Sequence, residues 1–428
     1  MINNLNLNGI KKYFADPLYR NALFLMMAYG VGSLFGFLFW LIAARFYPTT
    51  EVGLATALVS AVAILSSISK IGFDLGLIRY LPQYQDKTNT INTCFTITAL
   101  ISVITALIFI MGLAFWSRKL LFIQENALYF FIFVVFTVLT TLNQLQGSVF
   151  IAFRATHFNF IQNIINGIEP ILVGLLIFAG TLGIFLSANL GLLLATALGF
   201  LFLLKLIPGY RPVPKIGKGI GIEMVRFSFI NYVVGILVVL PQYLLPLIII
   251  TILPTEDSAY YYIAFSIAAI TGMVASVTSS SLLAECSHTP ENLRNQVIKS
   301  LKFILPFTLS IVVVLLTLGN LILSLYGEQY AENSLWLLRL LAIGFIPNIV
   351  STIYTTVLRV QKRERPLVCL WGFYAVFSIF TSYVMMKWWG IIGLGIAWIL
   401  LQTIIGLIAG IMLLKMLGSS LKVSLGGR

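Results

Sequence analysis

Twelve stretches of the sequence are apolar, nearly free of charge, and long enough to cross a lipid bilayer as helices. A membrane-spanning helix needs about 20 consecutive, mostly apolar residues. The stretches do not alternate apolar and polar residues, as the strands of a membrane β-barrel would. The sequence therefore predicts an all-α, polytopic membrane protein with twelve transmembrane helices, in the ranges 21–44, 52–69, 88–117, 126–153, 160–180, 184–204, 227–253, 258–284, 303–325, 334–358, 366–386 and 388–414.

The composition excludes a soluble protein. Hydrophobic residues make up 59% of the chain and charged residues 10%, whereas soluble chains carry about 25% charged residues. The net charge of +13 could indicate nucleic-acid binding, but no basic run has interleaved aromatic residues. We therefore expect no nucleic-acid partner.

The basic residues instead predict the orientation. If the N-terminus is cytoplasmic, 22 of the 27 lysines and arginines fall on the cytoplasmic side. The excess of basic residues in cytoplasmic loops favours this arrangement. We predict a multi-pass protein of the cytoplasmic (plasma) membrane with both termini in the cytoplasm.

A short motif indicates that one module is built twice. The turn Pro48 to Glu51 recurs as Pro254 to Asp257, at an offset close to half of the 428 residues. Six helices in each half make the two repeats parallel. The prediction is an N-terminal lobe (1–207), a Pro- and Gly-rich cytoplasmic linker (208–225) and a C-terminal lobe (226–428). Two weaker matches in the same order support it: Arg154 with Arg359, and Lys205 with Lys415.

Enzymatic and cofactor signals are absent from the sequence. There is no GxxxxGK[ST] nucleotide-binding loop. The three cysteines (Cys94, Cys286, Cys369) have no metal-ligand spacing. Because the loops are short and their acids scattered, we expect no enzyme, cofactor or metal; a membrane-embedded glycan enzyme is the weaker hypothesis beside transport.

Glu169, directly before Pro170, is the strongest functional candidate among the ionisable residues within the predicted helices. Charge at bilayer depth costs about 2.5 kcal/mol or more, so such groups face a partner or a wet cavity. Proline frees a carbonyl on the preceding turn. Glu169 could hold a coupling proton or Na⁺ beside a hinge at Pro170, or it could pair with an arginine of another helix.

Arginines at or near helix ends are the candidate ligands for an anionic group. Arg339 could bind phosphate in a bidentate fork, or its side chain could reach the outer headgroups. Arg45, Arg154 and Arg359 could likewise bind a substrate or anchor in the headgroups.

Two further features suggest moving parts. Asp74 and Arg79, near the cytoplasmic end, could form a gate pair or a solvated pair at a helix end. Pro241 and Pro246 interrupt the seventh helix, where a bend could be a hinge or a shaped packing surface.

Amide side chains lie in the fourth predicted helix. Asn143, Gln144 and Gln146 could line a cavity that contacts sugars, or they could hydrogen-bond between helices.

Four stretches resemble the polysaccharide flippase family of the MATE-like multidrug/oligosaccharidyl-lipid/polysaccharide exporter superfamily. They are ARFYPTTEVGLATAL, SKIGFDLGLIRYLP, AYYYIAFSIAAI and LYGEQYAENSLWLLRLLAIGFIPNIVSTIYTTVLRVQKR. The likeness extends from about Tyr19 to Lys415, and its motifs are degenerate patterns of small and charged residues. They separate the superfamily from other twelve-helix transporters better than they separate its branches.

The resemblance implies a V-shaped pair of six-helix lobes. It also implies alternating access that moves a polyprenyl-diphosphate-linked oligosaccharide, such as an O-antigen unit, to the outer leaflet. The diphosphate is anionic, so a cationic cavity is implied, with Arg45, Arg79, Arg154 and Arg359 as candidates. Glu169 is the coupling candidate. We expect a monomer that works beside glycosyltransferases or a polymerase of the same pathway.

A cation-coupled small-molecule exporter of the multidrug branch is the alternative. A cavity for organic cations should be acidic and aromatic. The predicted helices carry one acid, Glu169, against Arg339 and the arginines at helix ends. This balance favours an anionic substrate.

Overall fold

The computed structural model of the chain describes residues 17–217, 221–288, 293–361 and 363–425. These residues form α-helices and short 3₁₀ turns, without a β-strand. Both termini, and residues 218–220 of the predicted linker, lie outside the described ranges. The helices are α1 Pro17–Phe46, α2 Thr49–Ser69, α3 Phe73–Tyr80, α4 Lys87–Met111, α5 Leu113–Trp116, α6 Phe122–Glu125, α7 Ala127–Ala152, α8 His157–Asn166, α9 Glu169–Leu175, α10 Gly180–Leu206, α11 Ile222–Ile252, α12 Glu256–His288, α13 Leu293–Tyr326, α14 Glu328–Val360 and α15 Glu364–Leu425.

Ten helices of the described part are long and apolar enough to cross a membrane. One of them, Arg365–Met416, covers two of the predicted stretches. Its backbone leaves the helical region at Trp389 and Gly390, which divides α15 in two. The fifth predicted stretch corresponds to the two short helices α8 and α9. The all-α membrane fold is therefore confirmed, and the helices are consistent with twelve spans.

The chain divides into two compact units, Met1–Ile236 and Leu237–Arg428. This division falls inside α11, after the predicted linker, because the first turns of α11 pack on the first unit. The hydroxyl of Tyr232 donates to the carbonyl of Ile68 at 2.8 Å. Lobe boundaries at 207 and 226 stay a prediction.

In the first unit, one buried cluster joins the ends of several helices. Side chains from α3, α4, α7, α10 and the start of α11 meet there, with Leu77, Ile91, Leu145, Val149 and Leu203 each fully buried. The cluster fixes the connections α2–α3 and α7–α8 against each other. In the second unit, α14 packs against α12, α13 and α15.

Both units contain the same backbone turn at a glycine. Gly180, at the start of α10, has φ 55° and ψ −137°. Gly390, at the break in α15, has φ 55° and ψ −140°. This conformation is essentially restricted to glycine. A second glycine follows three residues later in each unit, Gly183 and Gly393, where a Cβ would lie 2.2 Å and 2.1 Å from a backbone carbonyl oxygen. The turn thus adds a structural equivalence, at an offset of 210, to the repeat seen in the sequence.

Candidate functional site

Helix α8 carries four amide side chains on one face. Asn159, Gln162, Asn163 and Asn166 are spaced i, i+3, i+4 and i+7, which places them along one stripe of a helix. Water is absent from the hydrocarbon core of a bilayer, so buried amides need protein partners or a wet cavity. The stripe accordingly faces the interior of the first unit, where all four side chains line a cavity.

Glycines on three neighbouring helices let α8 approach closely. A Cβ at any of these glycines would come within 2.0–3.1 Å of an amide side chain. Small residues are the usual means by which membrane helices bring their backbones together. The pairs are Gly32 of α1 with Asn163, Gly147 of α7 with Asn159, and Gly199 of α10 with Gln146 and Gln162.

Three amides bond between helices. Asn159 of α8 donates to the carbonyl of Gly147 of α7 at 3.3 Å. The Gln162 side chain donates to Gln146 Oε1 at 2.9 Å and to the carbonyl of Ala195 at 3.0 Å. Gln146 donates in turn to the carbonyl of Thr196 at 3.0 Å. Gln146 therefore bonds between helices, one of the two roles considered for it from the sequence.

The cavity beside this network has a volume of about 340 Å³. Asn143 and Gln144 of α7 line it, together with the amides of α8. Two amide atoms are buried without a hydrogen-bond partner among the described residues, Asn143 Nδ2 and Asn166 Oδ1. One is a donor and the other an acceptor, and both belong to side chains that line the cavity.

An ion pair, Lys70–Asp74, also lines the cavity. Lys70 Nζ lies 3.1 Å from Asp74 Oδ2, and Asp74 Oδ1 accepts a bond from the amide of Leu75 at 2.9 Å. The turn between the two residues holds Ile71 at φ 48°, which costs about 1–3 kcal/mol for a non-glycine residue. Packing of the turn maintains this conformation at the cavity wall. The predicted gate of Asp74 with Arg79 stays a prediction.

Glu169 lies at the break between α8 and α9. Its carboxylate accepts a hydrogen bond from the side chain of Asn166, whose other amide atom is the unpaired acceptor described above. Glu169 and the buried Pro170 occupy the first turn of α9. A carboxylate is favourable there because the N-terminus of a helix is electropositive. Glu169 is thus linked to the cavity wall through one amide.

The three candidate arginines of the first unit lie outside the residues that line this cavity. Arg45 is exposed in the last turn of α1, and Arg79 is exposed with its guanidinium 5.4 Å from the ring centre of Tyr80. Arg154 is exposed directly after α7. Their roles as substrate ligands remain predictions.

Arg154 ends α7 in a left-handed conformation, with φ 55°. The amide of Arg154 bonds to Ile151 at 3.0 Å and the amide of Ala155 to Phe150 at 2.8 Å, which is the Schellman pattern in which glycine is usual. We expect Arg154→Gly to raise the free energy of unfolding by about 1 kcal/mol, measured by thermal unfolding in detergent. Arg154→Ala is the matched control, since it removes the charge and keeps the strain. Equal stability of the two variants would contradict this reading.

In the second unit, Arg339 and Arg359 lie 20 residues apart on α14. A rise of 1.5 Å per residue separates them by about 30 Å. The guanidinium of Arg339 lies 5.0 Å from the ring centre of exposed Trp336, and Arg359 is exposed in the last turn. Pro241 and Pro246 are buried within α11, which continues as a helix through both. These assignments also stay predictions.

Sequence reasoning singled out Asp74, Asn143 and Gln144 but missed the amide stripe and Lys70 as parts of one site. The signal was present as N-x-x-Q-N-x-x-N from Asn159 to Asn166. This signal is weak because the four amides alternate with the apolar residues that predict a membrane helix. No group of three potential metal ligands (His, Cys, Asp or Glu) occurs in the part of the chain that the structure describes.

Comparisons with known proteins place this geometry in context. Residues 18–284 match the family described as "Polysaccharide biosynthesis protein". No curated protein matches the sequence.

Solved structures share the fold at low sequence identity. The lipid II flippase MurJ, in an inward closed conformation, is 15% identical with a TM-score of 0.74 over 94% of this chain and 90% of that chain. An inward-facing multidrug resistance MATE family transporter of the MOP superfamily is 12% identical with a TM-score of 0.71, over 92% and 96%. A MOP superfamily transporter from Pyrococcus furiosus, described as having a reversed polarity of its binding pocket, is 11% identical with a TM-score of 0.62, over 95% and 97%.

Proposed function

The chain belongs to the polysaccharide biosynthesis protein family, and we propose that it is a flippase for a polyprenyl-diphosphate-linked oligosaccharide. It moves this lipid across the cytoplasmic membrane by alternating access, for cell-surface polysaccharide biosynthesis, and it acts as a transporter without enzymatic chemistry. The observation that carries the proposal is the amide-lined cavity of the first unit.

The chemistry of the cavity suits a sugar. Sugar hydroxyls both donate and accept hydrogen bonds, and so do the side-chain amides of Asn and Gln. Asn143 offers a free donor and Asn166 a free acceptor. Exposed Gln144 adds a third amide. Neutral amides form hydrogen bonds with uncharged hydroxyls. The cavity therefore favours a glycan over a charged small molecule.

The charge of the cavity argues against organic cations. The acid that lines it, Asp74, is paired with Lys70, so its wall has no net negative charge. In the proposed cycle Lys70 breaks its ion pair with Asp74 and pairs with an oxygen of the diphosphate. The helix-end arginines attract the anionic lipid from the leaflet. Hinges at Pro170, Pro241 and Pro246 serve the change of access.

Leaflet transfer in proteoliposomes tests the proposal. A polyprenyl-diphosphate oligosaccharide is placed in one leaflet, and its arrival in the other is read by a glycan-modifying enzyme confined to one side. Transfer above empty liposomes is the expected result. A parallel assay with ethidium, an organic cation, tests the alternative of a multidrug exporter. Ethidium export without glycan transfer, in folded protein and with H⁺ and Na⁺ gradients imposed separately, would overturn the proposal.

Glu169 is the coupling residue of the proposed cycle. Its carboxylate contacts the cavity amide Asn166, so a change in its charge alters the hydrogen bonds that Asn166 offers to a sugar. We expect an H⁺ or Na⁺ gradient to accelerate transfer about tenfold less in Glu169→Gln than in the wild-type protein. The reason is that intramembrane acids in transporters carry such relays. Transfer without a gradient should be retained. The matched control is Glu125→Gln, an exposed acid in α6. A gradient dependence unchanged in Glu169→Gln would exclude the coupling role.

A further inference from the structure

An extended segment between α10 and α11, residues 210–217, lies along the first turns of α4. We call it the strap. Side chains of α4 form hydrogen bonds with its backbone. Asn92 donates to the carbonyl of Arg211 at 2.7 Å. The Thr96 hydroxyl accepts from the amide of Lys215 at 3.0 Å, and the Thr93 hydroxyl accepts from the amide of Gly217 at 3.2 Å. These bonds hold the strap at a fixed place over the end of the first unit.

Tyr210 fixes the start of the strap. Its side chain is 3% exposed and belongs to the buried cluster of helix ends described above. Burial raises the pKa of the Tyr210 phenol. The start of the strap is therefore part of the packed unit.

An apolar groove of about 260 Å³ lies beneath the strap. Helices α4, α7 and α10 form its floor through Phe95, Ala99, Leu100, Leu142 and Phe200. Leu100 is 51% exposed, so the groove reaches the outer surface of a helix predicted to span the membrane, where lipid chains lie. From Asn92 to Leu100 the helix rises about 12 Å, which gives room for part of a hydrocarbon chain.

Basic residues flank the groove on the strap. Pro212, Val213 and Pro214 line it, with exposed Arg211 just before them and exposed Lys215 just after. Residues 205–222 contain four basic residues and no acid. Basic residues beside an apolar surface at a membrane boundary attract anionic lipids.

We propose that this groove binds one anionic phospholipid of the surrounding leaflet. One hydrocarbon chain lies in the groove, and the phosphate is held by Arg211 and Lys215. The combination requires both parts, because a soluble anion would leave the groove empty and a zwitterionic lipid would gain less from the two cations. The site does not depend on the proposed transport function.

Native mass spectrometry of the full-length protein, titrated with phosphatidylglycerol or phosphatidylcholine, tests this site. We expect the first phosphatidylglycerol to bind more tightly than phosphatidylcholine. Arg211→Ala with Lys215→Ala should weaken phosphatidylglycerol by about fivefold per residue and leave phosphatidylcholine nearly unchanged. Ala99→Phe, which fills the groove without changing charge, should weaken both lipids. The matched control, Arg118→Ala with Lys119→Ala, removes two exposed basic residues beyond the other end of α4.

Four results would overturn the proposal. The first is equal binding of the two lipids, and the second is an equal loss in the control double variant. The third is tighter binding of a polyprenyl phosphate than of phosphatidylglycerol by tenfold or more, which would assign the groove to the transported lipid. Retention of binding in Ala99→Phe would also exclude the groove as the site of the chain. Thermal unfolding of each variant verifies that it is folded.

Discussion

Asn143→Leu is expected to unfold at a higher temperature than the wild-type protein and to transfer the lipid-linked oligosaccharide about tenfold more slowly. The Nδ2 atom of Asn143 is buried without a partner among the described residues, and such an unsatisfied group costs about 1–3 kcal/mol. Leucine has a similar size and no polar group. The folded state therefore gains stability by losing this amide.

Transfer should fall because this amide is the donor that we propose for binding the sugar. Loss of one hydrogen bond to a desolvated hydroxyl costs about 1.4 kcal/mol, or tenfold. Gln144→Leu should reduce transfer similarly, with less effect on stability because Gln144 is exposed. Asn333→Leu, an exposed change of the same kind on α14, is the control. If the double variant Asn143→Leu with Gln144→Leu transferred the lipid at the wild-type rate, the cavity would not be the binding site of the sugar.

Gly183→Ala and Gly393→Ala should each destabilise the protein by about 3 kcal/mol. A Cβ at Gly183 would lie 2.2 Å from the carbonyl oxygen of Leu176, and one at Gly393 would lie 2.1 Å from that of Met385. Both obstacles are backbone atoms, which cannot rotate away as a side chain can. The two variants should therefore lose folded protein in detergent to a similar extent, as measured by size exclusion and thermal unfolding.

Other glycine-to-alanine changes serve as controls for these two. Gly36 in α1 has no atom within 4 Å of the added Cβ, and Gly410 in α15 meets Val350 at an ordinary 3.6 Å. Alanine at such helical positions should stabilise by about 1 kcal/mol. If Gly183→Ala or Gly393→Ala behaved like these controls, the close approach at the repeated turn would be absent from the protein in the membrane.

The candidate site was only partly foreseeable from the sequence. The sequence indicates Asp74, Asn143 and Gln144, because they are polar residues near or within apolar stretches. The sequence does not reveal the contact of Lys70 with the cavity, because that contact depends on the turn at Ile71. The amide stripe of α8 could have been found by its helical spacing. The contacts of the strap could not be predicted, because hydrogen bonds to side chains of α4 leave no periodic pattern in its own residues.

The sequence by itself determined that the chain crosses a membrane as helices, because about 20 apolar residues in succession have no other stable arrangement in lipid. It also predicted a repeated module, through the recurring turn at Pro48 and Pro254. The tertiary structure decided which amides tie helices together and which have atoms without a partner among the described residues. That choice depends on how closely the helices approach at Gly32, Gly147 and Gly199, a distance set by packing between segments far apart in the chain.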